Sequence, residues 1–437
     1  YMSLSSTVMA ETGVASRRSD SPPPLEKTQR RTLTRRGVLW LGQTCNLRCY
    51  FCYFLNRIED AEHPEHPFMS IEKSKEICST LRHTYGNTAI DIQGGEPTIY
   101  PGILELIRHC NEIGLYPTLI TNGLVLAKKE KLQEFKDAGI RDFLVSLHGI
   151  GDIHDEVVCR KGSYEKIIAA IENMRELGVP FRFNCTMSKP VVPILPEIAR
   201  KAVQYGANAV NFLAFNPFED QETGIRTHDS VARYSEIKPY LTEAMDILGD
   251  AGIECNVRYL PLCMAEPRHR KNFYNFQQLP YDHHECDYNS CYLSGLQPER
   301  MKGGDLVPPF YLGPFSRWIT YRYPGITSRF HARPLLGKLG LTVQQTLARV
   351  RWLFGKERLY HVEGAIRADH DAGYKQYEAC RECSLRNICD GFHRDYAQLF
   401  GEDEAMPVRD IPAVSDPRYY IREQEKIVEP EDRAWAL

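Results

Sequence analysis

From residue 37 to about 250 the chain repeats one unit: a short apolar run rich in β-branched and aromatic residues, a loop, then a stretch with apolar residues at helical spacing. The runs lie at 38–44, 89–93, 116–121, 142–147, 181–186 and 209–215. The amphipathic stretches lie at 71–81, 103–113, 129–138, 164–177 and 195–205, and glycines such as Gly114 and Gly178 end several of them. Strands that alternate with helices pair in parallel, because a parallel return needs a long crossover and a helix supplies it. The fold class is therefore α/β, and an open doubly wound sheet satisfies the pattern as well as a barrel does. In both, ligands gather at the carboxyl ends of the strands. A further helix is expected at 234–248 and a further strand at 253–260. After Pro261 the periodicity weakens, and a helical reading returns near 343–354.

The loop after the first run reads TCNLRCYFCYF, with Cys45, Cys49 and Cys52 spaced C-x3-C-x2-C. Four thiolates would describe a closed zinc or iron–sulfur site. Three on a four-iron cubane leave one iron open to the amine and carboxylate of a small molecule. About forty residues on, IDIQGGEP (90–97) reads as a strand running into a glycine turn. There the backbone can approach a ligand closely, and carbonyls with a carboxylate can meet a positive amine. Together these motifs, with Phe51 just before the third cysteine, resemble the radical S-adenosylmethionine (SAM) superfamily.

That resemblance implies a partial (β/α)6 TIM-type barrel and a 4Fe-4S cluster on Cys45, Cys49 and Cys52. It implies bound SAM, cleaved reductively to a 5′-deoxyadenosyl radical that abstracts hydrogen from an unactivated carbon. The cofactor carries that chemistry, and the protein supplies position and exclusion of water. It further implies Phe51 against the adenine and Gly94, Gly95 and Glu96 on the methionine ammonium. Ser146 and Asn184 suit ribose hydroxyls or the methionine carboxylate, Arg160 or Lys161 that carboxylate, and Leu213 the adenine. Taken singly, Ser146 reads as a turn cap, Asn184 as a partner for barrel backbone, Arg160 as a surface charge and Leu213 as core. Asn122, in TNG after the third run, signals a turn first and lies at a strand end within reach of the site.

A second group, Cys380, Cys383 and Cys389, is spaced C-x2-C-x5-C in ACRECSLRNICDGFHRDY. It resembles the auxiliary-cluster region, SPASM or the shorter twitch type, that follows many radical SAM barrels. Where the full pattern has a fourth cysteine this chain has His393, so one auxiliary 4Fe-4S cluster is expected rather than two. Cys263, in a Pro-x-Cys just past the last barrel strand, is the first choice for its fourth ligand, as in similar twitch-type sequences. Cys255, Cys286 and Cys291 compete. A structural zinc site would use the same thiolates. Cys78, Cys110, Cys159 and Cys185 stand singly and are expected to pack as small hydrophobes.

A formal charge of −3 gives no support for a nucleic-acid partner, and no apolar run reaches the ~20 residues of a membrane helix. Residues 1–36, rich in Arg, Ser, Thr and Pro, lack the apolar stretch of a signal peptide and read as a flexible arm. Fourteen cysteines without a secretion signal suit a reducing cytoplasm. The expected organisation is an arm (1–36), a barrel (37–260) and a cysteine-containing auxiliary-cluster extension (261–437). The loop at 281–288, YDHHECDY, offers His283, His284 and Glu285 for proton transfer near neutral pH, a solvated loop being the plain alternative. In layout the chain is similar to radical SAM enzymes of aminoglycoside and nucleoside-antibiotic pathways. The expected substrate is an amino sugar, aminocyclitol or nucleoside, with diol dehydration as the specific reaction. Three readings compete. One is a peptide maturase, for which thirty-six residues before the first strand are few to form a recognition module. The second is an RNA-modifying enzyme, which the acidic balance disfavours. The third is a SAM-binding iron–sulfur electron-transfer or sensor protein. Expected partners are a small-molecule substrate, a flavodoxin- or ferredoxin-type electron donor and a downstream reductase.

Overall fold

The computed structural model describes residues 36–52, 68–83, 87–215, 227–275 and 373–416, with residues 26–28 and short pieces within 278–354 and 419–428. Its central sheet is parallel throughout and, apart from one late two-residue strand, follows chain order. The strands are β1 (Arg36–Trp40), β2 (Ala89–Gln93), β3 (Tyr116–Thr121), β4 (Asp142–Ser146), β5 (Phe181–Met187), β6 (Ala209–Ala214), β7 (Glu254–Arg258) and β8 (Phe273–Tyr274). Cys286–Asp287 adds a parallel pair on the free side of β1. The crossovers carry α1 (Ile71–His83), α2 (Ile103–Glu112), α3 (Lys129–Asp137), α4 (Asp152–Val157), α5 (Ser163–Leu177), α6 (Leu195–Tyr205) and α7 (Tyr234–Asp250). The sheet curls into the expected partial TIM-type barrel. Among the described residues no helix is long and apolar enough to cross a membrane.

Alternation along each strand sorts the side chains between two faces. Leu39, Ile92, Leu119, Phe143, Phe183, Phe212 and Val257 face outward into the core under the helices. Phe143, Phe183 and Phe212 are wholly buried there, and truncating any one to alanine costs about 3–5 kcal/mol. The intervening residues face the barrel interior. Its floor is closed by charge. Arg36 Nη1 donates to Asp91 (2.7 Å) and to Thr118 Oγ1 (3.1 Å), and Arg182 Nε donates to Asp142 (2.5 Å).

The C-terminal segment packs on the β7–β8 side of this sheet. Asp390 N donates to Asn275 Oδ1 (2.8 Å), Gln278 Nε2 to the Ile388 carbonyl (2.7 Å) and Tyr234 N to the Tyr396 hydroxyl (2.7 Å). The first strand ends at Trp40, four residues before the expected 44, and the sheet continues past 260 into β8. Most of the arm lies outside the described residues, while Glu26–Thr28 pairs antiparallel with Lys426–Val428.

Candidate active site

Residues 42–44 leave the sheet because they bond to the GGEP turn instead of a strand, while Leu41 still bonds to the last residue of β2. Leu41 N donates to the Gln93 carbonyl (2.8 Å), Gly95 N to Gly42 (2.7 Å) and Glu96 N to Thr44 (2.9 Å). A Cβ on Gly95 would overlap the Thr44 carbonyl, and one on Gly94 (φ +118°) would come within 2.6 Å of the Gly42 oxygen. The two glycines therefore let the cysteine loop and the GGEP turn touch. The Glu96 side chain, expected on a ligand ammonium, turns inward and is 1% exposed. Its carboxylate accepts from Thr98 N (3.0 Å), Thr98 Oγ1 (2.5 Å), Thr121 Oγ1 (2.7 Å) and Asn122 N (2.8 Å). Burial pushes this carboxyl up and the four donors pull it back. The carboxylate is filled, so the turn offers a cation its backbone. The Gly94 and Gly95 carbonyls accept no hydrogen bond among the described residues.

The cysteine loop is clamped from several sides. Asn122 Nδ2 donates to Asn46 Oδ1 (2.7 Å), Arg160 Nη1 to the Asn46 carbonyl (2.9 Å), Arg48 Nη1 to the Cys45 carbonyl (2.9 Å) and Tyr50 N to Val157 (3.2 Å). Asn122 and Arg160 thus reach the site through the loop itself. Cys45, Cys49 and Cys52 are all half-buried. Burial, then the Glu96 carboxylate, pushes the Cys45 thiol up to about 12. Burial, then Cys52 and Cys45, raises Cys49 well above the usual thiol range. Thiols held protonated in this way give up their protons as metal binds. The three sulfurs on this preformed loop fit the donor set of an open four-iron cluster.

Around this loop lies the C-terminal mouth of the barrel. The half-exposed inward side chains of the strands gather there: Trp40, Gln93, Ser146, Asn184, Asn211 and Leu213. Register sets Trp40 beside Gln93, Ser146 beside Asn184, and Asn184, Asn211 and Asn256 side by side. Asn256 Nδ2 donates to Asn211 Oδ1 (3.0 Å) and to Glu254 (2.9 Å), which turns the Asn211 amide hydrogens toward the cavity. Phe51 packs edge-on against His148, with ring centroids 4.7 Å apart and planes at 74°. Expected residues Phe51, Ser146, Asn184 and Leu213 thus share one rim with the cysteine loop. Charge at the floor and neutral amides at the mouth make an interior suited to polar ligands.

The second cysteine group forms its own cavity. Cys263, Cys380, Cys383 and Cys389 line one partly open pocket with Leu262, Leu385 and Phe392. Burial and the neighbouring sulfurs push Cys263 up to about 11 and Cys389 well above the usual thiol range. Cys255 lies apart, buried on the outward face of β7. Among the described residues no three Cys, His, Asp or Glu side chains converge on the position of a single ion. Four thiols around an open space fit a cluster. His393 caps Arg394–Phe400 through Nδ1 and the Asp395 amide (3.3 Å).

Two expectations need correction. Cys159 is exposed with φ +55° and lies near enough to raise Cys49, so it is no packing filler. Cys78 and Cys110 are buried but stand together, with sulfurs 3.6 Å apart across α1 and α2. His283, His284 and Glu285 lie outside the described residues. Sequence reading missed His148, although it sits two residues past Ser146 in VSLHG.

Residues 41–198 match the sequence model of the Radical SAM superfamily. The chain is 28% identical over 184 residues to the AdoMet-dependent heme synthase of Oleidesulfovibrio alaskensis, covering 42% of this chain and 46% of that protein. It is 29% identical over 191 residues to the PqqA peptide cyclase of Bradyrhizobium diazoefficiens (42% and 48%). It is 34% identical over 146 residues to the GTP 3′,8-cyclase of Peptoclostridium acidaminophilum (33% and 43%). The chain spans less than half the length of these curated relatives. None of the three is named for an amino sugar, and the expected likeness to aminoglycoside enzymes finds no support in them.

Proposed function

We propose that this chain, which carries a radical SAM domain followed by a cysteine-rich extension, is an enzyme that splits SAM reductively to abstract hydrogen from a small polar molecule held in the barrel. The observation that carries the reading is the junction of the cysteine loop with the GGEP turn at the carboxyl ends of parallel strands. Cys45, Cys49 and Cys52 hold a 4Fe-4S cluster that, when bound, supplies the electron for SAM cleavage. Backbone of the Gly94–Gly95 turn receives the ammonium, Arg160 the carboxylate, and Phe51, Ser146, Asn184 and Leu213 the nucleoside. Cys263, Cys380, Cys383 and Cys389 hold one auxiliary cluster, closed by four thiolates and thus suited to electron transfer. A flavodoxin- or ferredoxin-type donor supplies the reductant.

The amide-lined mouth supports a substrate rich in hydroxyls or amines, such as an amino sugar, aminocyclitol or nucleoside, with diol dehydration as the specific reaction. Similarity to a PqqA peptide cyclase favours a second reading, peptide maturation. Anaerobic reconstitution with iron and sulfide, then reduction with SAM and panels of polyols, nucleosides and peptides, tests both. Release of 5′-deoxyadenosine is expected in wild type and absent in Cys49→Ala. A polyol or nucleoside that loses water supports the first reading, and a cross-linked peptide the second. No 5′-deoxyadenosine with any panel would revive the sensor reading.

A further inference from the structure

His148 follows β4 and is 4% exposed. Its Nδ1 accepts a hydrogen bond from Thr186 N on β5 (3.1 Å). A neutral imidazole that accepts at Nδ1 carries its proton at Nε2. Among the described residues that Nε2–H meets no acceptor, and the ring lies edge-on to Phe51 at 4.7 Å. The turn is rigid. His148 N donates to His154 Nδ1 (3.2 Å), and a Cβ on Gly149 would come within 2.6 Å of His154 N. The buried side-chain atoms without a partner do not include this Nε2, so the N–H keeps access to solvent and to a ligand there.

We propose that His148 is a binding residue of the nucleoside subsite, whose Nε2–H donates to an acceptor atom of the adenosyl group beside Phe51. The inference rests on the reading of this mouth as a SAM site. Burial, then His154, pushes the His148 ring down to about 3, so it stays a neutral donor across the physiological range. An alternative is that the ring only anchors β4 to β5 and points its N–H at the Phe51 face.

Two substitutions separate these roles. H148N keeps an acceptor near Nδ1 for the Thr186 amide and removes the Nε2 donor, while H148Q restores a donor near Nε2. Equilibrium dialysis of the reconstituted protein with SAM is expected to show affinity about five- to tenfold weaker in H148N and largely recovered in H148Q. H148N should melt close to wild type. Histidine ¹⁵N spectra of the wild type should show the Nε2–H tautomer and a shift of that resonance on adding S-adenosylhomocysteine, a readout that survives if a variant fails to fold. Unimpaired SAM binding by folded H148N, or an Nε2 resonance that does not respond to the nucleoside, overturns the inference alone. Wild type that binds no SAM overturns the cofactor reading and this inference with it.

Discussion

A carboxylate that accepts four hydrogen bonds in a space closed to solvent has little left to offer a ligand, and Glu96 is in that position. Glu96→Gln makes the consequence measurable. The amide nitrogen would face either the Asn122 amide or the Thr98 and Thr121 donors, so one donor is left unsatisfied. A loss of about 1–3 kcal/mol is expected in urea unfolding, with SAM affinity reduced only as far as the loops shift. Unchanged stability with collapsed affinity would mean that the carboxylate grips the ammonium directly. Gly95→Ala acts at the same junction, because its Cβ would overlap the Thr44 carbonyl. Iron content after reconstitution should fall well below that of the wild type, with about 1–3 kcal/mol of destabilisation. The sequence marked this turn as a candidate ligand site but could not show what fills its carboxylate. Thr121 and Asn122 stand 25 and 26 residues beyond Glu96, and only folding brings them to it.

At the scale of elements, the alternation of apolar runs with amphipathic stretches was enough to locate β2 to β6 and the helices between them, except the six-residue α4. Each strand carries an outward face packed under helices, which leaves a strong apolar signal. The signal failed where bonding partners changed. Residues 41–44 are as apolar as a strand at their start but beyond Leu41 bond to the GGEP turn, and β8 is two residues long, below what periodicity can register. The auxiliary cysteines were legible as a group from their spacing, whereas Cys263, 117 residues before Cys380, was singled out as their fourth member through the family resemblance, and the fold brings it to them. Cys263→Ala and Cys383→Ala should each remove the auxiliary iron and leave the first cluster assembled. Cys255→Ala should keep the iron and cost packing alone. Iron and sulfide counts per chain check this, and full iron in Cys263→Ala with loss in Cys255→Ala would reverse the assignment.

For the whole molecule, pH sets stability through groups that the fold keeps uncharged. Burial, then its neighbour His154, holds His148 down to about 3, and burial alone leads in holding His154 down to about 4. Above their ordinary range near 6.5 both are neutral folded or unfolded, and they add no pH dependence. Below it the unfolded chain takes up two protons that the folded chain refuses. Stability therefore falls with pH by about 1.4 kcal/mol per unit for each histidine, until His154 charges near 4 and His148 near 3. His269, lowered mainly by burial, adds in the same sense. Asp246 acts later, because its hydrogen bond from Arg268 keeps it down to about 2 and its contribution is lost only between about 4 and 2. Glu96, raised by burial, works in the opposite sense and blunts the slope as pH falls through its range. The urea midpoint of the metal-free protein should thus drop steeply from pH 6 to 4.5. His154→Asn keeps an acceptor for the His148 amide and removes one titrating ring, so it should flatten that slope by about one proton while costing some stability at pH 7.5. An unchanged slope in that variant would mean that the acid-sensitive groups lie elsewhere than under the cysteine loop.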